Sequence, residues 1–308
     1  SVGLSDLKDA GPKMLGVFLL AALGTALGAL VGALLFAGSL DPLTWKLAGT
    51  FTGTYTGGSL NFAAVGRGLE LPPAIFAAAS AADNVTTGIW MAVTLAAPVW
   101  LMRRRESTSG GAEQLAVRGE GRARTELHPF FGAAPVSLLD LAVLAAIGLA
   151  VMLAAGLLGR WVGVFPQILW LTTLALVLAQ VPAVRALRGA QRLGNLGLHF
   201  FFAVIGIRSL LPEMVRVGPE VFYYTVVVVG VHGVFLFVVA RALGGSIPMI
   251  AVASQAAIGG PSTAMALTVS RNWPNLMLPG VAVGLLGYAI GSYSGFGMAH
   301  LVRLILGS

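Results

Sequence analysis

The residue whose type and position promise most chemistry is Asp83. It falls well inside an apolar run over 71–102, where a carboxylate is costly and marks an ion or proton site by default. Ser80, Asp83, Asn84 and Thr87 follow at spacings of three and four, which puts them on one face of a helix. Two other stretches combine hydroxyls with interrupted backbone. The first is Gly49-Thr50-Phe51-Thr52-Gly53-Thr54-Tyr55-Thr56-Gly57-Gly58-Ser59-Leu60-Asn61, and the second is Ala253-Ser254-Gln255-Ala256-Ala257-Ile258-Gly259-Gly260-Pro261-Ser262-Thr263-Ala264. Such backbone is tolerated at membrane depth only inside protein or beside a water-filled cavity. A broken segment offers two tools. Free N–H groups at a helix N-terminus receive an anion, and unwound carbonyls and hydroxyls replace the hydration shell of a small cation. We therefore take Thr54, Gly57, Gly58, Ser59, Asn61, Gly259, Gly260, Ser262 and Thr263 as candidates for binding a solute. Thr52, Asp83, Asn84, Ser254 and Gln255 are candidates for a coupling ion, sodium or a proton. No other metal or cofactor is expected.

The elements that must position these residues are membrane spans. Of 308 residues, 57% are hydrophobic and 10% charged, against roughly 25% charged in a soluble domain. Runs of bilayer length, about 20 residues, predict spans at 12–38, 71–102, 138–159, 164–187, 193–212, 218–242 and 275–306. Stretches 43–68 and 245–271 carry the broken motifs and do not read as ordinary spans. The net charge of +7 sits at the ends of apolar runs, as membrane topology requires, and no basic patch interleaved with aromatics suggests nucleic acid. The absence of cysteine excludes disulfides and thiolate metal sites. No Walker loop, Ser-His-Asp spacing or metal cluster stands out, so an enzyme is not expected. Trp90, Trp100, Trp161 and Trp170 suit an interfacial aromatic belt. Gly24, Gly28 and Gly32, spaced by four, suit close helix packing. His199 and His232 suit satisfied core positions, and Arg208 and Arg241 lie near span ends where they can snorkel. Arg67 and Arg271 each follow a broken motif and suit either an interfacial anchor or the attraction of an anion.

Segment 103–136 holds six arginines and four glutamates among Ser/Gly-rich stretches and reads as a flexible cytoplasmic linker. It separates a first repeat, 1–102, from a second, 137–308. One offset of 202 residues lays Gly57-Gly58 on Gly259-Gly260, Pro72 on Pro274 and Thr52 on Ser254. At that offset the counterparts of Ser80, Asp83, Asn84 and Thr87 are Ala282, Leu285, Leu286 and Ala289, so the first half alone would hold the ion. Three spans of the second half have counterparts only upstream of Ser1, which leads us to expect a first repeat incomplete at its N-terminus; an asymmetric seven-span protein is the alternative. If 43–68 and 245–271 are re-entrant hairpins, each unit has an odd number of spans and the repeats are inverted. If they cross, the copies are parallel. With the linker in the cytoplasm, the hairpin option also puts Lys8, Lys13, Arg185, Arg188 and Arg192 inside, and we favour it.

The run Thr54 to Phe62, the run Ala253 to Ala264 and Gly287-Tyr288-Ala289-Ile290-Gly291 resemble the motifs of the YjcL-like membrane proteins, a family of unknown function, over essentially the whole chain. More distantly, the paired Gly-Gly motifs are similar to those of sodium–glutamate and sodium–citrate symporters and of the cation/proton antiporter–anion transporter superfamily. That likeness implies an all-α polytopic fold with inverted repeats, a homodimer, and elevator-type movement in a bacterial inner membrane. The expected function is ion-coupled transport of a small organic solute, anionic or zwitterionic. A monovalent cation/proton antiporter using Asp83 is the alternative, and a non-transporting membrane scaffold is the third.

Overall fold

The computed structural model describes residues 6–106, 136–162, 165–208 and 211–307. Most of the linker 103–136, with Arg118, Arg122 and Arg124, lies outside the described residues. Every regular element among the described residues is a helix, in the order α1 (Asp6–Leu35), α2 (Thr44–Gly68), α3 (Pro73–Glu106), α4 (Leu138–Val162), α5 (Gln167–Leu178), α6 (Pro182–Ala186), α7 (Ala190–Arg208), α8 (Leu211–Ala242), α9 (Ile247–Ile258), α10 (Gly260–Ser270) and α11 (Pro274–Leu306). Among the described residues, four segments are long and apolar enough to cross a bilayer, Gly11–Leu35, Leu138–Val162, Val215–Ala242 and Pro274–Leu306.

The expected single span over 164–187 is instead two helices. Pro182 opens α6 after an extended Val181, because proline has no N–H to continue the helix and clashes with the preceding turn. The 12 residues of α5 rise about 18 Å, short of a hydrocarbon core of about 30 Å.

Helix α2 does not run straight. Its backbone leaves helical geometry at Gly57 (φ −148°, ψ 20°) and Gly58 (φ 72°, ψ −178°). The two arms then fold back on each other. Lys46 Nζ donates to the Glu70 carbonyl at 3.1 Å, although 24 residues of continuous helix would separate them by about 36 Å. A methyl placed on Gly53 would meet Val65, and one on Gly66 would meet Thr50. These pairs centre on the Gly57–Ser59 tip, so α2 is a helical hairpin. Helices α9 and α10 form another. Gly260 has φ +81°, Thr263 Oγ1 donates to the Gln255 carbonyl at 3.2 Å, and Val252 and Ala264 both lie against Gly280. Positive φ is the left-handed region that glycine enters without cost.

Close helix approach assembles the rest. Gly24, Gly28 and Gly32 of α1 meet His232, Val228 and Tyr224 of α8, in that order, so the two helices are antiparallel. The first hairpin rests on α11 through a ladder in which Gly49, Gly53 and Gly57 face Gly295, Gly291 and Gly287. A side chain on Gly57 would collide with the Gly287 carbonyl. Such small-residue contacts are how membrane helices gain van der Waals packing when lipid removes the hydrophobic incentive. Aromatic residues Phe51, Tyr55, Phe62, Phe76 and Tyr224 fill the core between α1, α2, α3 and α8. By contrast α4 buries only Ala155, and Leu149, Leu153 and Leu157 are exposed, as a lipid-facing helix requires.

Candidate functional site

The tips of the two hairpins meet. A Cβ built on Gly58 would lie 3.8 Å from the Gly259 carbonyl group, and the Tyr288 ring lies beside both Gly58 and Gly260, at 3.3 and 3.1 Å from such an atom. The return arm after Gly58 and helix α10 after Gly260 both begin here, so two sets of unsatisfied N–H groups open near one place. Asn61 fixes the first tip. Its side-chain amide donates to the Gly57 carbonyl at 2.9 Å and, at 3.4 Å, to the carbonyls of Gly287 and Tyr288. Its carbonyl accepts from Ser292 Oγ at 2.6 Å. Thr263 secures the second tip by donating to the carbonyls of Gln255 and Gly260. Ser59 and Ser262 are exposed at the tips.

Asp83 is buried on α3, at 5% exposure. Its two oxygens accept from Thr54 Oγ1 at 3.5 Å and Thr87 Oγ1 at 3.4 Å. Both bonds are long, and both come from hydroxyls that can turn away. The Tyr55 hydroxyl sits beside Asp83, Thr86 and Thr225 without hydrogen-bond geometry to any of them. The hydroxyls of Thr52 and Thr56 and the amide nitrogen of Gln255 are likewise buried without a partner. A native core leaves few polar atoms in that condition, and a concentration of them along one hairpin is what a hydrated or ion-binding pocket contains.

Asn84 is not part of this group. It is exposed on the far side of α3, next to Val85, which is 52% exposed. The inward file of α3 is Asp83, Thr86, Trp90 and Thr94, all buried, so the face expected from Ser80, Asp83, Asn84 and Thr87 is rotated by about one position. Thr86 and Thr225 share a hydrogen bond of 2.7 Å. Trp90 is a second departure: it lies in the core, not at an interface.

Trp90 Nε1 donates to Ser254 Oγ at 2.9 Å, and Ser254 Oγ stands 2.8 Å from His232 Nε2. His232 Nδ1 is 2.9 Å from Thr25 Oγ1, whose hydrogen is given to the Tyr55 carbonyl, also at 2.9 Å. Thr25 has one hydrogen to give, so Nδ1–H must be the donor toward Thr25. Nε2 then accepts from Ser254. Every member is satisfied by a neutral imidazole with its proton on Nδ1, an assignment made from the network. His232 is therefore a satisfied core group, as its apolar surroundings suggested. Ser254 has both its hydrogen and a lone pair committed, which leaves it little to offer an ion. Gln255 also turns into the core, where Oε1 accepts from Thr94 Oγ1 at 3.1 Å.

Arg67 is exposed on the return arm, nine residues or about 13 Å from the tip. Arg271 is half-buried and follows the last turn of α10. Neither stands at the tips. Arg241, in the last turn of α8, donates to the Gly245 carbonyl of the following turn at 3.0 Å. Sequence reasoning did not single out Tyr55, Thr86, Trp90, Thr94 or Tyr288 as site residues. Two of them carried a signal: Tyr55 lies inside the first broken motif, and Tyr288 between Gly287 and Gly291 in the third.

The uncharacterized membrane protein YjcL of Bacillus subtilis (strain 168) is 27% identical over 301 residues, covering 94% of this chain and 75% of that protein. No solved structure matches the chain. A family model described as "Protein of unknown function (DUF819)" matches residues 2–305. The resemblance carried by the glycine motifs is thereby borne out, and the chain belongs to the DUF819 family of proteins of unknown function.

Proposed function

We propose that the chain is an ion-coupled secondary active transporter that moves a small organic solute, anionic or zwitterionic, together with sodium or a proton. One observation carries this proposal: two helical hairpins meet at glycine tips, and a buried carboxylate with only hydroxyl partners stands against the first of them. The helix starts at the tips suit an anionic group, and Asp83 with Thr54 and the unpartnered hydroxyls of α2 suits a small cation.

The 202-residue offset makes α1 the counterpart of α8, and these helices pack antiparallel. An axis relating two antiparallel helices lies perpendicular to both, hence in the membrane plane, which supports inverted repeats with re-entrant hairpins. We keep the division into 1–102, a cytoplasmic linker 103–136 and 137–308. Elevator-type movement, a homodimer and a bacterial inner membrane complete the proposal. Melting the purified protein against a panel of amino and carboxylic acids, in sodium and in choline, tests it. A solute that stabilises more in sodium supports symport. No shift from any solute or cation contradicts it.

The long, rotatable hydrogen bonds to Asp83 favour a second reading, a monovalent cation/proton antiporter. A carboxylate so held can exchange a proton for a cation. An antiporter collapses a pH gradient across proteoliposomes when sodium or potassium is added without solute; a symporter requires its solute. The hydroxyl-lined interior weighs against a scaffold without transport.

A further inference from the structure

At the other end of the first hairpin, away from the tip, lies a cavity of about 650 Å³. Trp45 and Lys46 line it where the outward arm begins, and Leu69 and Glu70 line it where the return arm ends. Helix α11 adds His300 and Arg303. The Lys46 ammonium lies 5.4 Å and the Arg303 guanidinium 5.1 Å from the centre of the same Trp45 ring. One indole therefore gathers two cations, each favoured by its electron-rich face. The hydrogen bond from Lys46 goes to the backbone carbonyl of Glu70, which orients the ammonium without neutralising it. Among the described residues that line the cavity, Glu70 is the one acid, beside Lys46, Arg303 and the His300 imidazole.

The opposite wall is apolar. Leu69, Leu169 and Phe296 belong to a separate small core beneath the cavity, and Phe165 presents a ring that is 52% exposed. A cationic rim beside an aromatic wall, at the end of membrane helices, matches an amphiphile whose charged group is an anion. We propose that this cavity binds a phosphate-bearing anion, supplied as the headgroup of an anionic phospholipid with its acyl part against Phe165 and Phe296. Bound there, the lipid joins α5 to the base of the hairpin that carries Thr54 and Gly58. This site is independent of the transport proposal, since it requires neither a solute nor Asp83.

Purified full chain is melted after addition of mixed micelles containing phosphatidylglycerol, of matched micelles containing phosphatidylcholine, or of inorganic phosphate alone. The same preparations are weighed by native mass spectrometry for retained lipid. Phosphatidylglycerol is expected to stabilise the protein and remain bound. In Lys46→Gln with Arg303→Gln the retained lipid should fall at least about threefold, which is about 0.7 kcal/mol. The charge-keeping pair Lys46→Arg with Arg303→Lys should retain it, which separates lost binding from lost folding. Stabilisation by phosphate alone, with the same dependence on these residues, supports the anion site and assigns it a soluble source. Equal retention of phosphatidylcholine, or undiminished phosphatidylglycerol in the charge-removing pair, overturns the proposal.

Discussion

Asp83 and His232 are both buried among hydroxyls, yet their surroundings prescribe opposite roles. His232 has a donor and an acceptor for its two nitrogens at 2.8–2.9 Å, so its network is closed. Asp83 has two long contacts and unsatisfied hydroxyls nearby, so its network is open. Substitution should separate them. Thr25→Val removes the buried hydroxyl that joins His232 Nδ1 to the Tyr55 carbonyl, which costs about 1–3 kcal/mol. It should lower the melting temperature and leave any cation-dependent stabilisation in place. Asp83→Asn keeps the shape and can keep a hydrogen bond, so folded yield should hold. Cation affinity should fall about tenfold or more, the equivalent of about 1.4 kcal/mol, as read from melting against cation concentration. The sequence made Asp83 legible because a carboxylate inside an apolar run has few bland explanations. It did not reveal that Asn84 faces outward and Trp90 inward. In a membrane helix the lipid face and the packed face are both apolar, so composition does not set the rotation.

At the scale of elements, glycine does two distinct jobs. At the tips Gly58 and Gly260 adopt positive φ, where a side chain costs roughly 1–2 kcal/mol per residue and would press on Tyr288. In the ladder Gly57 allows α2 and α11 to touch backbone to backbone. Gly260→Leu should therefore abolish solute-dependent stabilisation while much of the protein still folds. Gly57→Leu should reduce folded yield itself, and Gly16→Leu, where a Cβ meets nothing within 4 Å, should match wild type in both. Size-exclusion profiles and melting curves of the three variants check this ordering. Hairpin breaks were legible because paired glycines at 57–58 and 259–260 recur at one offset among hydroxyls. The ladder partner on α11 was not, since glycines at spacing four mark a packing face without naming what packs there. The span over 164–187 failed for a related reason: its hydropathy is continuous, and one proline decides whether it forms one helix or two.

For the whole molecule, two hairpins lie on a shared α11; the proposed transporter places an ion pocket on the first and a solute site where the tips meet. If the pocket couples the ion to the solute, removing the charge at Asp83 must uncouple transport without dismantling the hairpins. The most direct measurement is solute and ion flux in proteoliposomes, wild type beside Asp83→Asn. A pool of labelled amino and carboxylic acids is placed outside, under an imposed sodium gradient and separately under an imposed pH gradient. Wild type should respond to at least one gradient, by accumulating a solute or by exchanging cation for proton, and folded Asp83→Asn should fall to the level of empty vesicles. Equal flux in wild type and Asp83→Asn, or none in wild type under either gradient, would contradict the proposed coupling.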